Sequence, residues 1–315
     1  MKKLRIVFMG TPAFAVESLN QLIASDHQVV GVITAPDRPA GRGRKLQQSV
    51  VKQFAQEATI PVLQPTNLKD DIFIADLKAL EGDLFVVVAF RMLPEIVWRL
   101  PKYGTFNLHA SLLPQYRGAA PINWAIIHGE TETGVTTFFI DEKIDTGAVI
   151  FQEKIMIDAT DTAGSLHDKL MVLGSALILR TVDAIAQGAV TTTVQPKTEN
   201  LKTAYKLNNE NTKIDWEASP TTIVNRIRGL NPYPGAWCYL EDENRQERIK
   251  LFDVYFSAES HTEETGRLVA DKKSLKIMIP TGAIYIREIQ LPGKRKMTTT
   301  SLLNGHLFPE NSKVV

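Results

Sequence analysis

Leu4-Arg5-Ile6-Val7-Phe8-Met9-Gly10-Thr11-Pro12 is a short apolar run that stops at a glycine, a hydroxyl residue and a proline. A run of this length reads as a buried strand of a parallel sheet. Pro12 suits the first turn of a following helix, and Thr11 suits its cap. The basic start and the apolar stretch faintly resemble a secretory leader, but Gly10-Thr11-Pro12 ends the stretch early and favours a first core strand.

Outward from this start the pattern repeats. Residues 29–33 and 62–63 read as strands, 36–43 as a loop and 50–58 as a helix. Residues 84–89 and 104–108 read as further buried strands. Strands alternating with helices imply βαβ units and a mostly parallel sheet, whose ligands sit at the carboxyl ends of the strands. Leu166, Leu170, Leu173, Leu177 and Val182 share a face of a helix over 162–186, which Thr162 can cap and Gly188 can end. A polar, Thr-rich stretch follows. Beyond it, residues 250–256, 266–270, 275–279 and 283–291 read as short strands of a small antiparallel barrel or sandwich. The expected division is 1–189, a linker at 190–204, and 205–315.

With 315 residues, 44% hydrophobic and 23% charged, the chain is long enough for about two domains and is neither disordered nor collagenous. Its formal charge of +1 excludes a protein that coats nucleic acid by charge alone. It leaves room for a local basic patch. The single cysteine, Cys238, forbids an intrachain disulfide and fits a reducing compartment. No H-x-x-x-H pair or cysteine cluster suggests a metal. The one glycine at residues 10–12 does not make a dinucleotide fingerprint, and there is no phosphate loop of the G-x-x-x-x-G-K-[ST] kind. Trp124, Trp216 and Trp237 read as packing residues.

Four segments can carry chemistry. Asn107 and His109 are two apart, so on a strand they face one side. An amide and a protonated imidazole aimed at one point stabilise a developing oxyanion. The alternative is a turn-starting Asn and a satisfied near-surface His. Asp145, before Thr146-Gly147, is either a turn residue or the carboxylate that orients His109 and keeps it protonated. Arg38, Arg42, Arg44 and Lys45 gather positive charge beside Gly41 and Gly43, as a solvated loop or a phosphate clamp. Lys294-Arg295-Lys296, after Pro292-Gly293, is a second basic cluster, equally readable as a solvated turn.

Asn107-x-His109, then Ser111-Leu112-Leu113-Pro114, with Asp145-Thr146-Gly147 downstream, resembles the folate-dependent formyltransferases. The resemblance runs nearly end to end. It includes Pro36-Asp37-Arg38-Pro39-Ala40-Gly41-Arg42-Gly43, Tyr116-Arg117-Gly118-Ala119-Ala120-Pro121-Ile122 and Asn231-Pro232-Tyr233-Pro234-Gly235-Ala236-Trp237. The Arg-Gly loop and the Asn-Pro-Tyr-Pro-Gly segment resemble the branch that acts on transfer RNA.

The resemblance implies a Rossmann-like α/β domain and a smaller C-terminal OB-like barrel. It implies formyl transfer from 10-formyltetrahydrofolate to the amino group of initiator methionyl-tRNA, in the cytoplasm, by a monomer without metal or membrane. By the same resemblance Asn107, His109 and Asp145 are catalytic. Ser111, Leu112, Leu113 and Pro114 contact the folate. Arg38, Arg42, Arg44, Lys45, Lys294, Arg295 and Lys296 bind the transfer RNA. The chain departs from the family at Arg91 and Lys143, where glycine is common. Rival readings are formyl transfer to an amino sugar nucleotide or glycinamide ribonucleotide, a non-enzymatic RNA-binding protein, and a nicotinamide oxidoreductase.

Overall fold

The computed structural model describes residues 2–40, 45–243 and 245–315. In chain order the elements begin with β1 (Arg5–Gly10), α1 (Phe14–Ile23), β2 (Gln28–Ile33), β3 (Arg38–Ala40), β4 (Lys45–Gln47), α2 (Val50–Glu57), β5 (Val62–Leu63), α3 (Asp71–Ala79) and β6 (Leu84–Val88). There follow α4 (Glu95–Trp98), β7 (Thr105–His109), β8 (Arg117–Gly118), α5 (Pro121–Ile127), β9 (Glu132–Phe139), β10 (Val149–Met156) and α6 (Ala163–Gln187). The remainder is β11 (Thr203–Ala204), α7 (Pro220–Gly229), β12 (Ala236–Glu241), β13 (Gln246–Ala258), β14 (Leu268–Ala270), β15 (Leu275–Ile279), β16 (Gly282–Gln290), β17 (Met297–Thr298), α8 (Thr299–Leu303) and β18 (Lys313–Val314).

The chain forms two compact units, one of 1–118, 133–155 and 167–203, the other of 119–132, 156–166 and 204–315. Segments 119–132 and 156–166 thus cluster with the second unit although they lie within 1–189.

The first unit is built on a sheet of order β10-β9-β7-β6-β1-β2-β5. β7, β6, β1, β2 and β5 run parallel, and β9 is antiparallel to β7. From β1 the chain first adds β2 and β5 on one side, then β6 and β7 on the other. Such a reversal leaves a crevice at the carboxyl ends of the central strands. All five residues of β6 are buried, the continuous apolar pattern of a strand covered on both faces. α6 lies close against β7, because a Cβ on Gly174 would come within 2.7 Å of Leu108 Cδ2. Thr181 on α6 and Thr137 on β9 share a hydroxyl hydrogen bond of 2.9 Å. α6 is also long and apolar enough to cross a membrane by length and composition. Its Leu170, Leu177, Ile178 and Val182 are buried in the protein core.

Several boundaries differ from the sequence expectation. α1 starts at Phe14 with Ala13 as its cap and no side-chain cap bond, and the Pro12 carbonyl takes the Ala15 N–H. Thr11 therefore does not cap. Segment 36–43 is not all loop, since Arg38–Ala40 is a strand paired antiparallel with β4. The α6 reading holds: Thr162 Oγ1 accepts from Ser165 N at 3.2 Å, and Gly188 closes the helix at φ +68°.

In the second unit the strand order is β14-β15-β16-β13-β12-β18, with β17 on β16. An antiparallel bridge between Arg267 and Lys313 brings β18 back towards β14, so the sheet nearly closes on itself. β13 is long because register shifts near Asp253 bend it, letting one strand serve two stretches of the barrel wall. α5 packs tightly on α7: a Cβ on Gly229 would lie 2.7 Å from Ile127 Cγ1, and Asn123 donates to the Gly229 carbonyl at 2.8 Å.

Candidate active site

Asn107 and His109 lie at the carboxyl end of β7, where the topology opens its crevice. Asn107 pairs with Val87 on one side and Phe138 on the other, and His109 pairs with Thr136. The strand period puts both side chains on one face. His109 is buried, at 6% exposure. Its Nε2 donates to the Tyr116 carbonyl at 2.8 Å, and its Nδ1 stands 3.7 Å from Asp145 Oδ2. That spacing exceeds a hydrogen bond, so the edge of the ring is oriented but Nδ1 is not committed to the carboxylate. Asp145 Oδ2 is anchored instead by the Gly118 N–H at 2.9 Å. The Asn107 amide makes no hydrogen bond to another described residue, which leaves its N–H groups free for a substrate.

The backbone around these groups is held in uncommon conformations. Ala89, Tyr116 and Asp145 have φ of +47°, +60° and +56°. Residues other than glycine adopt this region at a cost and keep it only when neighbours enforce it. At Asp145 the enforcing neighbour is Gln195, which is 7% exposed. Its amide nitrogen donates to the carbonyls of Asp145 and Gly147 at 2.9 and 2.8 Å. Its oxygen accepts from Arg117 Nε and Nη2 at 3.1 and 2.6 Å. Gly147 is required by contact as well, since a Cβ there would sit 1.7 Å from the Phe139 carbonyl oxygen. Sequence reasoning missed Gln195, because a lone glutamine in a polar stretch carries no periodic or motif signal. Nearby Thr193 is bridged to Val149, so this part of the polar stretch is packed rather than free.

Thr136 and Gln152 carry the 111–114 turn. Thr136 Oγ1 donates to the Ser111 carbonyl at 2.6 Å and accepts from Leu113 N at 3.2 Å. Gln152 Nε2 donates to the Leu113 carbonyl at 2.8 Å. The Ser111 hydroxyl is buried and spent on the Gln115 carbonyl, and Leu113 is buried too. Leu112 and Pro114 are half-buried.

The basic residues divide. Arg38 is exposed at the start of β3, while Arg42 and Arg44 lie outside the described residues. Lys45 is in β4, paired with Ala40. Beside Arg38, Gln64 and Lys52 bond the Asp37 carboxylate and hold it below the usual range. Lys294 and Arg295 are exposed, and Lys296 Nζ pairs with Glu288 at 2.8 Å. Arg91 donates to the carbonyls of Pro65 and Thr66. Burial and the nearby Arg38 charge lower its pKa. Arg91, Lys69 and Arg99 line a cavity of about 910 Å³ with Met92, Leu93 and Ile96. Glu95 lines it too and pairs with Arg99 at 2.8 Å, so Lys69 and Arg91 are the cations left to meet a carboxylate between the apolar walls. Among the described residues no group of three His, Cys, Asp or Glu could hold a metal ion.

A formyl transferase family profile matches residues 4–182, and the profile of its C-terminal domain matches 206–307. The chain belongs to the formyl transferase family. It is 56% identical to a methionyl-tRNA formyltransferase of Flavobacterium johnsoniae, with all of both chains covered. It is 50% identical to one of Bacteroides thetaiotaomicron, again with all of both chains covered. In fold it is similar to the sugar 3N-formyl transferase WlaRD, at TM-score 0.63 and 22% identity over 94% of this chain and 100% of that one. It is also similar to HypX from Aquifex aeolicus, solved in complex with tetrahydrofolic acid. That match has TM-score 0.65 and 19% identity over 96% of this chain and 47% of HypX. The mostly parallel sheet and the barrel-like C-terminal sheet are the architecture expected from the sequence.

Proposed function

We propose that this chain transfers the formyl group of 10-formyltetrahydrofolate to the α-amino group of methionine on initiator methionyl-tRNA. The observation that carries the chemistry is the free Asn107 amide beside His109 and Asp145 at the end of β7. The full-length likeness to methionyl-tRNA formyltransferases supports the acceptor. The folate supplies an activated formyl carbon and departs as tetrahydrofolate once its nitrogen takes a proton.

The Asn107 N–H donates to the formyl oxygen as the amine attacks and negative charge develops there. His109 Nδ1, 3.7 Å from Asp145 Oδ2, turns its proton to the same oxygen. Asp145 takes the proton that the amine loses on forming its new C–N bond, and the proton returns to the departing folate nitrogen. The amine is already a competent nucleophile, so no covalent bond to the chain is needed. In this reading Leu112 and Pro114 contact the folate while the buried Ser111 and Leu113 fix their turn, and Lys69 and Arg91 at the 910 Å³ cavity suit its carboxylates. In the same reading Arg38, Arg42, Arg44, Lys45, Lys294, Arg295 and Lys296 bind the RNA, and the protein acts in the cytoplasm as a monomer.

The test is formyl transfer by the purified protein from the folate donor to initiator and elongator methionyl-tRNA. Strong preference for the initiator is expected. Transfer to small amines with none to methionyl-tRNA refutes the reading.

A further inference from the structure

The polar stretch read from the sequence as a linker at 190–204 holds more than Gln195. Through residue 203 it clusters with the first unit. It also reaches the turn that follows β7. The Lys202 N–H donates to Gln115 Oε1 at 2.8 Å, and the Lys202 carbonyl accepts from the Tyr116 N–H at 2.6 Å. Gln115 Nε2 donates to the Asn200 carbonyl at 3.3 Å. Two consecutive residues therefore grip both backbone groups of Lys202, as a neighbouring strand would.

Tyr116 stands between this grip and the catalytic histidine. Its N–H goes to Lys202, and its carbonyl accepts from His109 Nε2 at 2.8 Å. Tyr116 is 5% exposed and has φ of +60°. A residue other than glycine keeps that conformation only while its neighbours enforce it. The main chain of Gln115 is fixed from the other side. Its N–H donates to the Leu112 carbonyl at 3.1 Å, and its carbonyl accepts from the Ser111 hydroxyl at 2.7 Å. The Gln115 side chain thus reaches from a fixed turn to the polar stretch, and slack in Lys202 passes to His109 through one residue. The same stretch braces Asp145 through Gln195.

Gln115 is half-buried, and Asn200 and Lys202 are exposed. Water can replace hydrogen bonds at such a place, so their loss strands no buried group. A positional effect on His109 is therefore separable from an effect on folding.

We propose that Gln115 is a positioning residue for His109, acting through Lys202 and Tyr116. The proposal rests on the reading of His109 as a group that meets the formyl oxygen. The test measures steady-state formyl transfer and thermal melting for two variants. Gln115→Met keeps the size of the side chain without its amide, and Gln115→Glu keeps the acceptor for the Lys202 N–H. Gln115→Met is also made in the His109→Ala background. The expected loss for Gln115→Met is about tenfold in kcat, less than the roughly 10²-fold cost of a displacement near 1 Å, because the Tyr116 N–H still holds the Lys202 carbonyl. The KM for folate and for methionyl-tRNA should stay within about twofold, as for a change that leaves binding intact. The melting temperature should stay within about 2 °C of wild type. Gln115→Glu should recover most of the lost kcat. In the His109→Ala background the Gln115→Met change should cost less than about twofold, because residues that act as one unit are not additive.

Wild-type kcat in Gln115→Met, or the same loss in both backgrounds, overturns the proposal. So does a loss that falls on KM alone. If Gln115→Met does not fold, Gln115→Ala takes its place; failure of both makes Gln115 a folding residue and overturns the proposal too. Wild-type turnover in His109→Ala overturns the reading of the site itself. A disabled His109→Ala beside an unaffected Gln115→Met overturns only the positioning role.

Discussion

Removing the Gln195 side chain should disable the site without touching any group that meets substrate. Its amide uses all four of its hydrogen-bonding positions, two towards the Asp145 and Gly147 carbonyls and two from Arg117. Gln195→Ala strands two carbonyls and a guanidinium in a region where Gln195 itself is 7% exposed. An unsatisfied buried group costs about 1–3 kcal/mol, and partial access of water to Arg117 discounts the sum to about 2–4 kcal/mol. At this chain length that is a melting temperature lower by roughly 3–6 °C.

The effect on catalysis follows from Asp145, whose φ of +56° is no longer enforced. A displacement near 1 Å costs about 10²-fold in rate, so kcat/KM should fall by that order. Gln195→Glu separates the two halves of the clamp. It keeps an acceptor for Arg117 but loses the donors to Asp145 and Gly147, so it should lose activity like the alanine variant while melting at a higher temperature than that variant. Calorimetry and steady-state formyl transfer read the two quantities separately. Activity within about twofold of wild type in both variants would refute the clamp, since far larger losses follow from misplacing a catalytic group.

Three further outcomes follow. Asn107→Ala and His109→Ala should each lower kcat by about 10²–10³, with folate binding retained by equilibrium titration; near-normal turnover in both removes them from the site. Gly147→Ala should give little soluble folded protein, because its Cβ would stand 1.7 Å from the Phe139 carbonyl oxygen, and a wild-type melting curve would contradict that contact. Burial pushes the Cys238 thiol up to about 12 from its ordinary 9.0. The unfolded chain therefore releases this proton first as pH rises, so stability is full below about pH 9 and declines above it. The native thiol should resist alkylation at pH 8 and react once the chain is unfolded, and rapid native labelling would show the barrel interior to be open.

Some of this was legible because it depends on local periodicity. β6 is five apolar residues that fill one buried strand, and the sequence shows them as a run. Asn107 and His109 share a face because a strand repeats every two residues. Thr162 and Gly188 mark the ends of α6 because caps and left-handed closures select few residue types. The same logic failed at Thr11, where the Pro12 carbonyl meets the helix instead. A cap is chosen by the path of the chain as well as by the side chain present.

The sequence by itself determined the alternation of buried strands and helices, the two-part architecture and the family likeness, and it singled out three candidate side chains. Tertiary structure alone decided which distant groups meet. Asp145 lies 36 positions after His109, and Gln195 a further 50, so only folding could bring them to 3.7 Å and into a shared clamp. It also decided which cations are paired. Glu288 takes up Lys296, a member of the basic run that stands out in the sequence. Gln115 and Lys202, 87 positions apart, meet because the polar stretch folds back on the turn after β7. The physical reason is the same in each case. Periodicity reports the face on which a residue lies, whereas Coulomb and hydrogen-bond energies depend on distances that only packing sets.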